Sequence, residues 1–228
     1  MNIKHILTGF LLSSLLLVSS LAKAEIVEDG SPQLKQLLGQ FDSFSAEFDQ
    51  ISGSDDSRRM EQSRGTLVMA KPNKFNWIAQ EPFPQQLVSD GETLWIYDPD
   101  LEQVTQRMLS DDQNGVPALI LNGQVDELQE SYRIRRLNER NDEQLFELLP
   151  IEEQGMFTRI RLLFRAGLIT ELQLEDSLGQ RTSILFHEQQ LNPKLDANAF
   201  IFTPPEGTDV IVESQMQSAI ETDMDSSQ

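Results

Sequence analysis

Hydrophobic positions change their rhythm twice along this chain. From Ile6 to Leu21 the residues are almost all apolar or small. Leu34, Leu37, Leu38 and Phe41 then recur at helical spacing. Ser31 as N-cap and Pro32 at the first helical position predict a helix of about three turns, ending before Asp42-Ser43. From Phe44 the period becomes two, with Phe44, Ala46 and Phe48 alternating with Ser45, Glu47 and Asp49.

The same alternation predicts strands at Thr66–Met69, Phe75–Ile78, Gln86–Val88, Thr93–Tyr97 and Gln103–Thr105. Pro72-Asn73, Pro82-Phe83-Pro84, Asp90-Gly91 and Asp98-Pro99 punctuate them. The rhythm lapses between Ser110 and Glu130. There Val116, Pro117, Ala118, Leu119, Ile120 and Leu121 form an apolar segment before Asn122-Gly123, which reads as one or two short helices. Strands resume at Tyr132–Arg135, Gln144–Leu148, Arg159–Phe164, Leu168–Leu174 and Ser183–Phe186, with Phe200-Ile201-Phe202 as a last apolar piece. About eleven short strands with so few helices predict a mostly β, antiparallel meander, as a sandwich or a barrel.

Phe75 and Trp77 share one strand face, as do Leu94 with Ile96 and Trp95 with Tyr97. These aromatics either fill a closed core or line an apolar cavity. Apolar residues on both faces of Thr93–Tyr97 imply that something covers each side.

Lys4 and His5, the apolar run with its four serines, and Ala22-Lys23-Ala24 have the form of a secretory signal peptide over residues 1–24, cleaved before Glu25. The run is shorter than the roughly 20 residues that span a bilayer. No cysteine is present, so the expected exported form carries neither a disulfide nor a lipid anchor. Residues 25–212 read as one domain, and the acidic stretch 213–228 as a disordered tail. Removing Lys4 and Lys23 with the leader leaves 16 Lys and Arg against 37 Asp and Glu, a net charge of −21. Such a chain repels nucleic acid and anionic headgroups, and stable membrane insertion is not expected.

Residues able to do covalent chemistry are scarce. His187 is the single histidine beyond the leader, and no nucleophile elbow, phosphate loop, dinucleotide fingerprint or H-E-x-x-H occurs. Asp55-Asp56, Asp111-Asp112 and Glu152-Glu153 lie in polar loops as solvated pairs. Asp98, Asp100 and Glu102 offer oxygen ligands without the EF-hand pattern. The chain reads as a non-enzyme, with no catalytic residue, metal site or cofactor.

A longer pattern is more specific. Phe44-Ser45-Ala46-Glu47-Phe48 is followed by Lys71-Pro72-Asn73-Lys74-Phe75-Asn76-Trp77, then by Leu87-Val88-Ser89-Asp90-Gly91-Glu92-Thr93-Leu94-Trp95-Ile96-Tyr97-Asp98-Pro99. Phe200-Ile201-Phe202-Thr203-Pro204-Pro205-Glu206-Gly207 closes it. In order and spacing these resemble the outer-membrane lipoprotein carrier family, LolA, from about Ser31 to Ile211.

The resemblance implies an unclosed antiparallel β-barrel, with an N-terminal helix and short lid helices over an apolar concave face. It implies a monomeric periplasmic chaperone of a Gram-negative cell. Such a chaperone takes lipoproteins from an inner-membrane ABC transporter, shields their acyl chains and delivers them to an outer-membrane receptor lipoprotein. A carrier of another amphiphile, such as a glycolipid, would share the fold. By the same resemblance Phe75 and Trp77 line the cavity, with Phe48, Leu94, Trp95 and Ile96 as further lining candidates. Val116–Leu121 is the lid, and Lys71 stands where the family usually has an arginine that latches it.

Energetics favour loose binding. Each methylene taken from water is worth about 0.8 kcal/mol. Three fully buried chains would exceed the roughly 18–21 kcal/mol ceiling on noncovalent affinity and could not be released. A lid that competes with cargo for the same apolar surface lowers the net affinity.

Overall fold

Alternation over Ser43–Ser54 (β1) sets the register of the whole molecule, because both its neighbours pair along nearly its full length. The computed structural model describes residues 29–54, 60–109, 116–140, 142–152 and 155–213. The expected signal peptide, the stretch 214–228 and the acidic pairs at 55–56 and 111–112 lie outside them.

After the helix Ser31–Leu38 (α1) and β1, five strands follow as a meander: Glu61–Ala70 (β2), Lys74–Glu81 (β3), Gln85–Asp90 (β4), Thr93–Asp98 (β5) and Gln103–Met108 (β6). Two helices come next, Val116–Leu121 (α2) and Val125–Ser131 (α3). The second run of strands is Tyr132–Arg140 (β7), Glu143–Pro150 (β8), Phe157–Arg165 (β9), Leu168–Asp176 (β10) and Gln180–Leu191 (β11), and Asp209–Val212 (β12) is the last strand among the described residues. All twelve strands form one sheet in the order β12-β6-β5-β4-β3-β2-β1-β11-β10-β9-β8-β7, so the two meanders join where β1 meets β11. The sheet is unclosed, as the resemblance implies.

Some details differ from what the sequence pattern predicts. The Asp-Val-Ile-Val stretch of β12 is an additional strand, and it pairs parallel to β6. Its own neighbours in sequence give no alternation long enough to announce it. Phe200-Ile201-Phe202, the last apolar piece, belongs to a segment crossing the outer face. The first helix is also shorter than the expected three turns. Gly39 caps it, while Phe41 reaches the core from the link beyond. Its N-terminal cap shifts by one as well. Gly30 is the N-cap, and the Asp29 carboxylate accepts hydrogen bonds from the Ser31 amide (3.0 Å) and hydroxyl (2.6 Å).

The core lies on the sheet's inner face, under the helices. Leu34, Leu37 and Leu38 of α1 and Val125 and Leu128 of α3 pack with Phe44, Phe48, Phe146, Phe164 and Phe186 in one continuous cluster. The outer face is polar over β7–β11. There buried Glu147 faces Arg161 (3.1 Å), Arg159 (3.5 Å) and Arg135 (3.7 Å). A carboxylate so withdrawn from water is stable only with partners of this kind.

Candidate functional site: the inner wall of the half-barrel

The inner face is unevenly covered. Inward side chains of β7–β11 such as Phe146, Ile160, Leu162 and Ile184 are buried under α1 and α3. Those of β3–β5 are less so: Phe75, Trp77, Leu87 and Ile96 are each only partly buried. Register puts them together. Trp77 stands between Leu67 and Leu87, and Leu87 pairs with Ile96, forming an apolar row across four strands. One step along, Phe75 pairs with Ser89 and Ser89 with Leu94. Leu94 is buried, and the Ser89 hydroxyl donates to the Asn73 carbonyl at 2.8 Å.

Phe48 reaches this wall from β1. Its ring stacks on Trp77 with centroids 3.9 Å apart, although β2 lies between their strands. Gly65 makes that possible. A Cβ there would sit 2.7 Å from Phe48 Cζ and 1.8 Å from the Ile78 carbonyl oxygen. Neither Gly65 nor Leu87 is among the cavity-lining candidates that the sequence suggests.

Trp95 belongs elsewhere. Its register partners are Val88 and Gln106, so it points to the outer face. There Phe202 lies 6.3 Å from the Trp95 ring and 5.9 Å from that of Tyr97. The Asn76 side-chain amide donates to the Ala199 carbonyl at 3.0 Å, fixing the same segment. The outer face of β5 is thus covered by the chain's own C-terminal segment. Trp95 therefore faces away from the inner wall.

The apolar segment Val116–Leu121 is the helix α2, with bounds as expected. The side chains of Val116, Pro117 and Ala118 lie outside the described part. Ile120 is fully buried, and Leu119 and Leu121 pack against the core. Gly123, at φ 72°, donates its amide to the Ile120 carbonyl, and Gln124 donates to Leu119. The Leu119 and Ile120 carbonyls of α2 are therefore already occupied.

This geometry relocates the expected latch. The Lys71 ammonium donates to the carbonyls of Leu38 and Phe41, both at 2.7 Å, and lies 4.5 Å from the centre of the Phe41 ring. Its acceptors belong to the end of α1 and its link to β1, not to α2. Its Nζ also lies beside Gly123, in the link between α2 and α3, where an added Cβ would stand 3.2 Å away. Burial pulls its pKa below the usual lysine value, and Asp42 partly opposes the shift. Instead, α2 is tied to the sheet by Asn122, whose side-chain oxygen accepts the Asn73 amide at 2.8 Å.

Among the described residues no group of three or more His, Asp or Glu side chains is placed to hold a metal. His187 sits on β11, opposite Glu47, with its ring nitrogens 3.8 Å from the carboxylates of Glu47 and Asp49. Asp98 Oδ1 accepts the Leu101 amide within its turn. No helix of the described residues is long and apolar enough to cross a membrane.

Comparison with known proteins agrees with this architecture. The family model described as "Outer membrane lipoprotein carrier protein LolA" matches residues 39–203. The outer-membrane lipoprotein carrier protein of Azotobacter vinelandii is 39% identical over 85% of this chain and 93% of its own. That of Chromohalobacter salexigens is 38% identical over 83% of this chain and 90% of its own. A crystal structure of an uncharacterized conserved protein from Thermus thermophilus shares the fold at 10% identity, with a TM-score of 0.52 over 80% of this chain and 99% of that one. The chain belongs to the LolA family of outer membrane lipoprotein carrier proteins.

Proposed function

We propose that this protein is a soluble periplasmic carrier that shields the acyl chains of lipoproteins between two membranes. Cargo is received from an inner-membrane ABC transporter and delivered to an outer-membrane receptor lipoprotein, and the carrier works as a monomer. The observation that carries this reading is the partly open apolar row of Trp77, Leu87 and Ile96, continuing from buried Leu67 beside a sealed core. A domain that needed only to be stable would bury this row as it buries Phe146 and Leu162. Family membership supplies the cargo class.

In this reading α2 is the lid. Ile120 occupies apolar surface that acyl chains would otherwise cover, so displacing it offsets part of the cargo's binding energy. The carrier contributes no covalent chemistry; it lowers the cost of exposing methylenes to water during transfer. Depleting the protein in its native host tests the function directly. Lipoproteins should accumulate in the inner membrane, and the reading fails if they continue to reach the outer one.

A further inference from the structure

The outer wall reverses the sign of the chain's charge. Along β1 the outward residues Glu47 and Asp49 are followed by Ile51 and Gly53. On the same face β9 presents Arg159 and Arg161, and β11 presents Arg181, the register partner of Gly53. These three arginines line a cavity of about 530 Å³ together with Ile51, Met60 and Gln173. Glu175 is its one lining carboxylate among the described residues.

The arginines outnumber their partners. Among the described residues Glu147 faces Arg135, Arg159 and Arg161, while Glu175 faces Arg159 (3.3 Å) and Arg181 (3.7 Å). Four cations thus share two anions. Glu171, alongside, accepts from Ser183 and Gln173, and counting it still leaves positive charge in excess. The connection 55–59, outside the described residues, carries two charges of each sign: Asp55 and Asp56 against Arg58 and Arg59.

Depth separates the signs further. The side chains of Glu147 and Glu175 are 8% and 26% exposed, against 38%, 42% and 56% for Arg161, Arg159 and Arg181. The carboxylates lie beneath and the guanidiniums above, so the cavity presents a cationic surface. Arg161 gives Nε and one terminal nitrogen to Glu147, and Arg159 gives one terminal nitrogen to Glu175. A guanidinium has five N–H donors, so both retain donors for another acceptor. Surplus guanidiniums held this close repel one another unless an anion joins them.

We propose that this cavity binds a phosphate monoester, with Arg159, Arg161 and Arg181 on its terminal oxygens and its organic part against Ile51 and Met60. A monoester carries nearly two negative charges and three strong acceptor oxygens. That matches the surplus of two cations, and guanidinium forks meet such oxygens in pairs. A sulfonate of the same shape brings one charge only. The cavity lies on the face opposite the apolar row, so it does not overlap the surface assigned to acyl chains. The same group occurs on soluble phosphate esters and on the headgroup of phosphatidic acid.

Isothermal titration calorimetry on the purified protein, at low salt and about pH 8, where the ester is a dianion, tests the site. Phenyl phosphate should bind at least ten-fold more tightly than benzenesulfonate, a monoanion with the same ring. Arg181→Gln, at the most exposed of the three, should weaken phenyl phosphate at least ten-fold without lowering the melting temperature appreciably. Lys74→Gln, which removes an exposed cation from β3, should leave binding unchanged. Flotation with phosphatidylcholine vesicles containing phosphatidic acid separates the two sources. Vesicle binding that Arg181→Gln abolishes assigns the site to a headgroup; otherwise the ligand is a soluble ester. No binding of phenyl phosphate, equal affinity for the sulfonate, an unaltered Arg181→Gln, or a loss shared by Lys74→Gln overturns the site. The calorimetry involves no acyl chain, so its failure leaves the carrier reading untouched.

Discussion

Phe48 and Trp77 stack face to face across an intervening strand, over the one position in that strand that has no side chain. The pair ties the sealed half of the inner face to the open half. Gly65→Ala should therefore cost about 3 kcal/mol or more, above the ordinary range for overpacking, because the new methyl meets the Ile78 backbone carbonyl of the next strand as well as the Phe48 ring. Urea denaturation would measure it. The Trp77 emission should shift toward that of exposed indole, because the added methyl displaces the Phe48 ring.

Lys71 closes the C-terminal end of α1 with two hydrogen bonds from one ammonium. Lys71→Ala leaves both carbonyls unmet and should destabilise the protein by about 1–3 kcal/mol. Hydrogen exchange in residues 31–38 should accelerate more than in 116–121. Equal acceleration of the two helices would return the residue to a lid-latching role.

Asp29 offers a pH-dependent prediction. Its hydrogen bonds from Ser31 hold the carboxyl below the usual aspartate value. A lowered folded-state pKa contributes stability above the unfolded value of about 3.9, and that contribution disappears as pH falls through the folded value. Asp29→Asn should lower the denaturation midpoint near neutrality. The gap between the two proteins should close below about pH 3.

Phe202 covers Trp95 and Tyr97 from outside the sheet. Phe202→Ala should cost about 1–3 kcal/mol, less than for a fully buried phenylalanine. It should shift Trp95 emission while leaving the amphiphile response of Trp77 intact. Loss of that response would place the outer face in the binding site after all.

Glu147 is the buried anion of the outer face. Glu147→Ala leaves Arg135, Arg159 and Arg161 facing one another and should destabilise by about 3 kcal/mol. Unlike an exposed pair, the effect should be little changed by added salt.

Much of this fold is readable from alternation alone. The switch from period 3.6 to period two at Phe44 marks the real boundary between α1 and β1, and Val116–Leu121 emerges with its observed limits. Faces were legible where one side was polar, as at Phe75 and Trp77. On β5 both sides are apolar, so periodicity could not tell Ile96 from Trp95. The answer depends on Phe202, more than a hundred residues later. The parallel pairing of β12 is likewise a long-range event with four residues of local signal. Lys71 shows a different limit: its position was legible, but its acceptors follow from where α1 ends and from the capping of α2 by Gly123.

The sheet's two outermost strands, β12 and β7, are not paired with each other. In a sealed barrel, strand number and stagger fix the radius, because every backbone ladder is shared all the way round. Here the circumference is left unlocked. The sheet can curl or relax by small changes of twist between neighbours without surrendering any ladder. Capacity is then not a fixed interior volume but an adjustable girth, which lets one container take loads of different bulk.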